Sequence, residues 1–154
     1  MYSYFPQKIK RKIFKNGFTL VEIMVVVAII AILLSIGIPG LIRSRTIAYE
    51  GTAAANLRAV NNACQLYLST REVYPNVLSE LVAPASNPPY LDPELATSRK
   101  QNYDFIYVVT EDGFTVNANP VNRMGNPRYF FMNQTGIIHG NENGQAGVND
   151  PIFA

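Results

Sequence analysis

The chain has 154 residues, a formal net charge of +2 and a single cysteine. This length suits one domain of modest size, and a lone cysteine excludes an intrachain disulfide. The positive charge comes from residues 1–17, which hold five of the thirteen basic side chains and no acid. The remainder has eight basic against eleven acidic side chains, so its charge does not support nucleic-acid binding.

A long apolar segment follows the basic residues. From Phe18 to Ile38 nearly every residue is apolar, and a helix of that length spans roughly 30 Å, the thickness of a bilayer core. Glu22 is the exception. The fourteen Phe, Leu, Ile and Val residues of this segment each lower the free energy of membrane insertion by about 0.3 to 0.6 kcal/mol. Together they outweigh the penalty of about 3 kcal/mol for one acid near the helix end. We therefore expect membrane insertion with residues 1–17 in the cytoplasm.

The position of the small residue distinguishes this segment from an ordinary secretory signal, which is cut after its apolar part. Here Gly17 precedes the apolar part. Cutting after Gly17 would remove the basic leader and create an amine on Phe18, four residues from Glu22. The leader, Gly17 and the sequence Phe-Thr-Leu-Val-Glu resemble the type IV prepilin signal, shared by type IV pilins and the pseudopilins of type II secretion. The resemblance extends from Lys15 to about Arg45.

This resemblance implies an α+β pilin fold, in which a long N-terminal helix packs on a three- to four-stranded antiparallel sheet. It implies cleavage after Gly17, N-methylation of Phe18, and assembly contacts from Phe18, Thr19, Glu22 and Pro39. The implied partners are other copies of the chain, a prepilin peptidase and methyltransferase, the membrane, and the inner-membrane assembly machinery of a pilus or secretion system.

Pro39 ends the apolar segment, so the polymerisation helix is assigned to residues 18–39. Pro39 cannot donate a hydrogen bond to the carbonyl of Ser35, and Gly37 and Gly40 lower the helix preference further. We expect a kink or local unwinding there, as in many members of the resembling family. The alternative is that proline and glycine are simply common in membrane helices.

Residues 40–73 continue the helix with an amphipathic pattern. The stripe predicted to face the core consists of apolar residues at helical spacing, namely Ile47, Ala54, Leu57, Val60, Cys64, Tyr67 and Leu68. Arg58, Asn62 and Arg71 should face outward. Cys64 is interpreted as a small buried apolar residue. The helix should stop near Tyr74, because the residue before Pro75 is disfavoured in a helix.

The remaining chain divides into a connecting segment, residues 74–102, and a sheet with its tail, residues 103–154. The proline-rich connection is expected to hold one helical turn at 78–81. Alternating residues predict strands at 103–109, 114–118, 129–132 and 137–139, with a turn at 111–113. The polar tail after Gly140 is expected to be partly ordered only in an assembly.

Catalytic and metal chemistry find little support in the residues. Glu111, Asp112 and Asn117 could approach a cation, but two acids beside a glycine are typical of a hairpin turn. His139 is the only histidine and Cys64 the only cysteine, which disfavours a hydrolytic triad or a metal cluster. We therefore predict no enzyme activity, no cofactor and no metal.

Glu22 is the residue with the strongest case for a role, since membrane carboxylates are functional candidates. It could pair with the Phe18 amine of its own helix at the i, i+4 spacing. Alternatively, it pairs with the Phe18 amine of a subunit already assembled, which the resemblance favours. An unpaired charge away from water costs several kcal/mol, so this pairing would select one register between helices.

The sequence favours a structural subunit of a type IV pilus-like filament, held in the bacterial cytoplasmic membrane before assembly and on the cell surface afterwards. The alternative is a pseudopilin of a type II secretion system, in a periplasmic filament. Major pseudopilins often have an aspartate, tryptophan and glycine cluster with calcium-binding residues, and this chain has no tryptophan, which favours the pilin. A membrane-tethered binding module that does not polymerise would leave the register of Gly17, Phe18 and Glu22 unexplained.

Overall fold

The computed structural model describes residues 17–153, so the basic leader other than Gly17 lies outside the described residues. The chain divides into two compact units, Met1–Ile38 and Pro39–Ala154. Helix α1, Leu20–Arg71, begins in the first unit and ends in the second. In the first unit α1 is long and apolar enough to cross a membrane, and its most apolar window has no buried residue.

The helix is uninterrupted at Pro39. Every residue from Leu20 to Arg71, including Gly37 and Gly40, is helical. The expected local unwinding is therefore wrong, because one missing N–H donor removes a single hydrogen bond of the helical ladder while its neighbours keep theirs. A kink at Pro39 stays a prediction.

The amphipathic part of α1 packs on the sheet as predicted. Its buried residues follow helical spacing, namely Thr46, Ala53, Ala54, Leu57, Val60, Ala63 and Cys64. Arg58, Asn62 and Arg71 are exposed, as expected. Ile47 was expected in the stripe but is 59% exposed. It lies about 100° around the helix from Thr46. Thr46, by contrast, is buried against the backbone of Met124.

The connection contains a 3₁₀ helix at Leu78–Leu81, which confirms the predicted turn, and a short helix α2 at Pro93–Ala96. The Asp92 side chain caps α2 by accepting a hydrogen bond from the Glu94 N–H at 2.9 Å. An aspartate followed by proline is a typical start of a helix, although four residues are too few to show periodicity.

The sheet is an antiparallel meander of five strands in chain order. The strands are β1 Arg99–Lys100, β2 Tyr103–Thr110, β3 Gly113–Pro120, β4 Tyr129–Asn133 and β5 Ile138–Asn141. The α+β fold and the four longer strands are confirmed. The additional strand β1 has two residues and forms because it pairs with the start of β2.

One face of the sheet forms the core with α1. Its buried side chains alternate along the strands and include Tyr103, Phe105, Phe114, Val116, Ala118, Phe130, Met132 and Ile138. The two layers are also joined by polar contacts, such as the Gln65 amide, which donates to the Gln134 carbonyl at 3.2 Å. The predicted aromatic face of β2 is confirmed, because Tyr103 and Phe105 are buried and Tyr107 is half-buried.

The tail after β5 does not match the expectation of order only in an assembly. It turns back along β5, where Ile152 forms a bridge with His139. The Gly140 N–H donates to the Pro151 carbonyl at 2.9 Å, and the Phe153 N–H donates to the Ile138 carbonyl at 2.8 Å. These contacts order the tail within a single chain, because β5 would otherwise leave its backbone groups unpaired.

Candidate assembly site

The start of α1 is closed by a reciprocal pair of side chains. Thr19 precedes the first helical residue, and its Oγ1 accepts a hydrogen bond from the Glu22 N–H at 3.2 Å. Glu22 Oε2 in turn accepts from the Thr19 N–H at 3.1 Å and from the Thr19 hydroxyl at 3.0 Å. This arrangement is a capping box, which satisfies N–H groups that a helix start leaves without partners.

The capping box gives Glu22 a partner within the chain other than the one considered from the sequence. The carboxylate contacts Thr19, and its pairing with the Phe18 amine, which exists only after cleavage, stays a prediction. Glu22 Oε1 accepts no hydrogen bond from residues 17–153, so one carboxylate oxygen is available to an incoming donor. The Thr-x-x-Glu spacing itself signals a capping box, although Thr19 was predicted only as an assembly contact.

Gly17 and Phe18 lie before the helix in a non-helical segment. Phe18 is 83% exposed. A Cβ added at Gly17 would meet no described atom within 4 Å, so packing in this fold does not require a glycine there. Glycine at position 17 therefore has no packing role among the described residues.

The apolar part of α1 is exposed on all sides. Each large apolar side chain from Leu20 to Ile38 is between 49% and 75% exposed. Its one hydroxyl outside the capping box, that of Ser35, donates to the Ile32 carbonyl at 2.7 Å and is satisfied within the helix. A surface of this kind must be covered by lipid or by other helices.

The candidate residues of the body do not form a reactive site. Glu111 and Asp112 lie in the exposed β2–β3 turn, whereas Asn117 is four residues along β3 from Gly113 and is paired with Ile106. The structure thus does not bring the three together. Among residues 17–153 no group of three or more His, Cys, Asp or Glu side chains could hold a metal ion.

The remaining candidates are held in structural roles. Cys64 is fully buried, and burial raises the pKa of its thiol to about 12, which makes it a poor nucleophile. His139 lies on β5, and its Nδ1 is 2.6 Å from the Asp150 carbonyl oxygen.

The C-terminal loop does not fit the calcium ion that major pseudopilins often hold. Asp150 Oδ1 accepts from the Asn141 amide at 3.0 Å, and its Oδ2 accepts from the Gly147 N–H at 2.7 Å. Glu142 Oε1 accepts from Arg128 at 2.8 Å. Calcium needs six to eight oxygen ligands, whereas these carboxylates are directed at N–H donors.

A helix that is exposed and apolar enough to cross a membrane, continued by a part that packs on an antiparallel sheet, is a pilin-like arrangement. Residues 14–38 match the family described as the prokaryotic N-terminal methylation motif. The chain is 38% identical to type II secretion system core protein G of Vibrio cholerae over 48% of this chain and 53% of that protein. The homologous protein of Aeromonas hydrophila is 29% identical over 90% of both chains.

The type IV major pilin protein PilA of Myxococcus xanthus is 38% identical over 43% of this chain and 30% of the pilin. The matches therefore span about half of the V. cholerae protein and less than a third of the M. xanthus pilin. No solved structure matches the chain. The motif and these relatives support the superfamily of type IV pilins and type II secretion pseudopilins, to which the chain is similar.

Proposed function

We propose that the protein is a structural subunit of a helical filament, anchored in the inner membrane by its apolar helix and polymerised through that helix. The observation that supports this most directly is that every large apolar side chain from Leu20 to Ile38 is at least 49% exposed. Covering one such side chain stabilises by about 1.5–3 kcal/mol. Lipid covers this helix before assembly, and neighbouring helices cover it in the filament.

Processing prepares the helix for assembly. A prepilin peptidase cuts after Gly17, and the new amine on Phe18 is methylated. The exposure of Gly17 and Phe18 and the absence of a packing role for the glycine support this step. The product is a chain that begins with a cation four residues before Glu22.

Glu22 then selects the register between subunits. Thr19 donates hydrogen bonds to one carboxylate oxygen. The other oxygen accepts a hydrogen bond from the Phe18 amine of a neighbouring subunit. Because an unpaired charge in an apolar helix bundle costs several kcal/mol, only a stagger that brings the two together is stable. Phe18, Thr19 and Glu22 thus act as one assembly site. Pro39 lies at the other end of the polymerisation helix.

Among filaments of this class, a type II secretion pseudopilus is favoured slightly over a type IV pilus. The relatives named core protein G include the one that covers 90% of both chains. The pilus, which the sequence favoured, remains the second candidate because the M. xanthus major pilin is also similar. The proposed role in either filament is structural and non-enzymatic.

The role of Glu22 is tested by Glu22→Val and Glu22→Gln in the source bacterium, with filaments sheared from cells, imaged and identified by mass spectrometry. We expect both variants to insert into the membrane and to yield at least about tenfold fewer filaments, since the register charge is lost. Ser35→Val is the matched control, because it removes a polar group from the same helix and should leave filaments unchanged.

Normal filament yield from Glu22→Val would refute the register role. Deleting the gene and measuring both the secreted proteins and the surface fibres separates the two candidate filaments. Loss of secreted proteins with no change in surface fibres indicates a pseudopilus, and the reverse indicates a pilus.

A further inference from the structure

The loop between β3 and β4 is pressed against the body part of α1. Thr46 Oγ1 lies 3.4 Å from the Met124 carbonyl oxygen. Gly125 has a φ of +82°, and a Cβ there would collide with the Thr46 hydroxyl and come within 3.0 Å of Ile42. Only glycine combines this backbone conformation with so close an approach. The loop therefore packs against Ile42 and Thr46, which follow the apolar segment by four and eight residues.

The loop is also fixed from its other side. The Val121 N–H donates to the Asn102 carbonyl at 2.8 Å, and the side chain of Asn102 exchanges hydrogen bonds with the backbone of Asn122 at 2.9 and 3.0 Å. Despite these restraints, Met124 is 64% exposed and Val121 is 47% exposed. The loop thus displays two apolar side chains from a fixed backbone.

Basic side chains lie near this apolar tip, and Arg45 and Met124 line the same surface cavity. Arg43, Arg45 and Arg123 are exposed, and none of them forms a salt bridge with another residue of 17–153. No acid occurs in the sequence between Glu22 and Glu50, or between Asp112 and Glu142. Tyr49, 37% exposed, lies on the same part of α1. Exposed Arg, Tyr and apolar residues together are the composition of a membrane interface.

The length of chain after the apolar segment places the arginines within reach of lipid headgroups. Arg43 and Arg45 follow Ile38 by five and seven residues. A helical segment of that length is about 8–11 Å long, and the headgroup layer on each side of a bilayer is roughly 5–8 Å thick. The long guanidinium side chains can reach back over the difference.

We infer that Arg43, Arg45, Arg123 and the loop 121–126 form a lipid-binding surface, which contacts phospholipid phosphate groups while the subunit is anchored in the membrane. This inference rests on the membrane anchor of the proposed function. The positive charge is complementary to phosphate, and Met124 and Val121 add exposed apolar side chains suited to the membrane interface. The surface is also continuous in sequence with the segment that lipid covers.

The test uses the full chain reconstituted in phosphatidylethanolamine bilayers, with and without phosphatidylglycerol. Met124→Cys labelled with an environment-sensitive fluorophore reports on the loop, and lipids with a spin-labelled headgroup quench it on contact. Asp112→Cys is the control, because the eight residues of β3 separate it from the loop, about 26 Å of strand. Cys64 is buried, and mass spectrometry verifies that only the introduced thiol is labelled.

We expect the probe at position 124 to be quenched several-fold more than the probe at position 112, and more strongly with phosphatidylglycerol present. Arg43→Glu, Arg45→Glu and Arg123→Glu in the Met124→Cys background should each reduce the quenching. Arg58→Glu, at an exposed position further along α1, should not.

Equal quenching of the two probes in a chain that resists alkaline extraction would overturn the lipid surface and leave the anchor intact. Failure of the chain to resist extraction would contradict the anchor itself. Protection of position 124 in assembled filaments but not in bilayers would assign the loop to a contact between subunits, which also overturns the inference.

Discussion

At the scale of single residues, one carboxylate of Glu22 can combine an observed contact with the proposed one. Its Oε2 closes the capping box with Thr19, and its Oε1 remains available to the amine of another subunit. The capping box holds the side chain close to the helix start, which reduces the conformational entropy lost when a second subunit binds. In the proposed filament, Thr19 would thus be a positioning residue for the contact between subunits.

Gly17 is the other residue whose role can be tested alone. Because its surroundings in the folded chain are open, Gly17→Arg should fold and insert normally but resist cleavage. We expect an uncut protein whose intact mass includes residues 1–17, and no filaments. Gly17→Ala serves as the control, since a small side chain should still be cut. A mature N-terminus at Phe18 in the arginine variant would contradict the proposed processing site.

At the scale of elements, the tail and strand β5 form one hydrogen-bonded unit centred on Asp150. Its two carboxylate oxygens accept from Asn141 and from the Gly147 N–H. The ring of Phe153 packs edge-on against the buried Phe130, with ring centroids 4.9 Å apart. The tail therefore covers the last strand of the sheet and adds to the core.

Removing this centre should loosen the tail without unfolding the sheet. Asp150→Ala deletes two hydrogen bonds, and we expect the free energy of unfolding of the body, residues 39–154, to fall by about 1–3 kcal/mol. Hydrogen exchange should accelerate at the amides of Gly140 and Phe153. Glu111→Ala, in the exposed turn, should change the stability by less than about 0.5 kcal/mol.

Calcium and a chelator provide a second check of the same element. The melting temperature of the unsubstituted body should be the same with added calcium and with EDTA, because N–H donors occupy the carboxylates of the loop. A rise in melting temperature with calcium that Asp150→Ala abolishes would show that the loop does bind the ion.

At the scale of the whole molecule, an exposed apolar helical segment is followed by a body, residues 39–154, that has its own core. All buried apolar side chains of the described residues belong to the second unit, and the first of them is Ala53. The exposed apolar side chains from Leu20 to Ile38 belong to the first unit. The body thus has the buried apolar surface that independent folding requires.

We therefore expect residues 39–154, expressed alone, to be a folded, water-soluble monomer, whereas the full chain should need detergent or lipid. Gel filtration with light scattering and the dispersion of amide NMR signals measure both properties. Aggregation or poor signal dispersion of the fragment, with the full chain folded in detergent, would show that the body depends on the apolar helix.

Sequence alone determined the features that depend on neighbouring residues. Spacing and local propensity predict the apolar segment, the β2–β3 turn and most of the buried stripe of α1. They also single out Gly17 and Glu22 as candidate processing and assembly residues. Each of these requires only a few consecutive residues or a repeating period, both of which can be read along the chain.

Tertiary structure decided the features that join distant parts of the chain. The contact between Thr46 and Met124 links residues 78 positions apart, so no local pattern predicts that Thr46 is buried while Ile47 is exposed. The order of the tail likewise depends on strand β5, where Ile152 pairs with His139. The loop 121–126 acquires its proposed contact with lipid only because Gly125 brings it against α1.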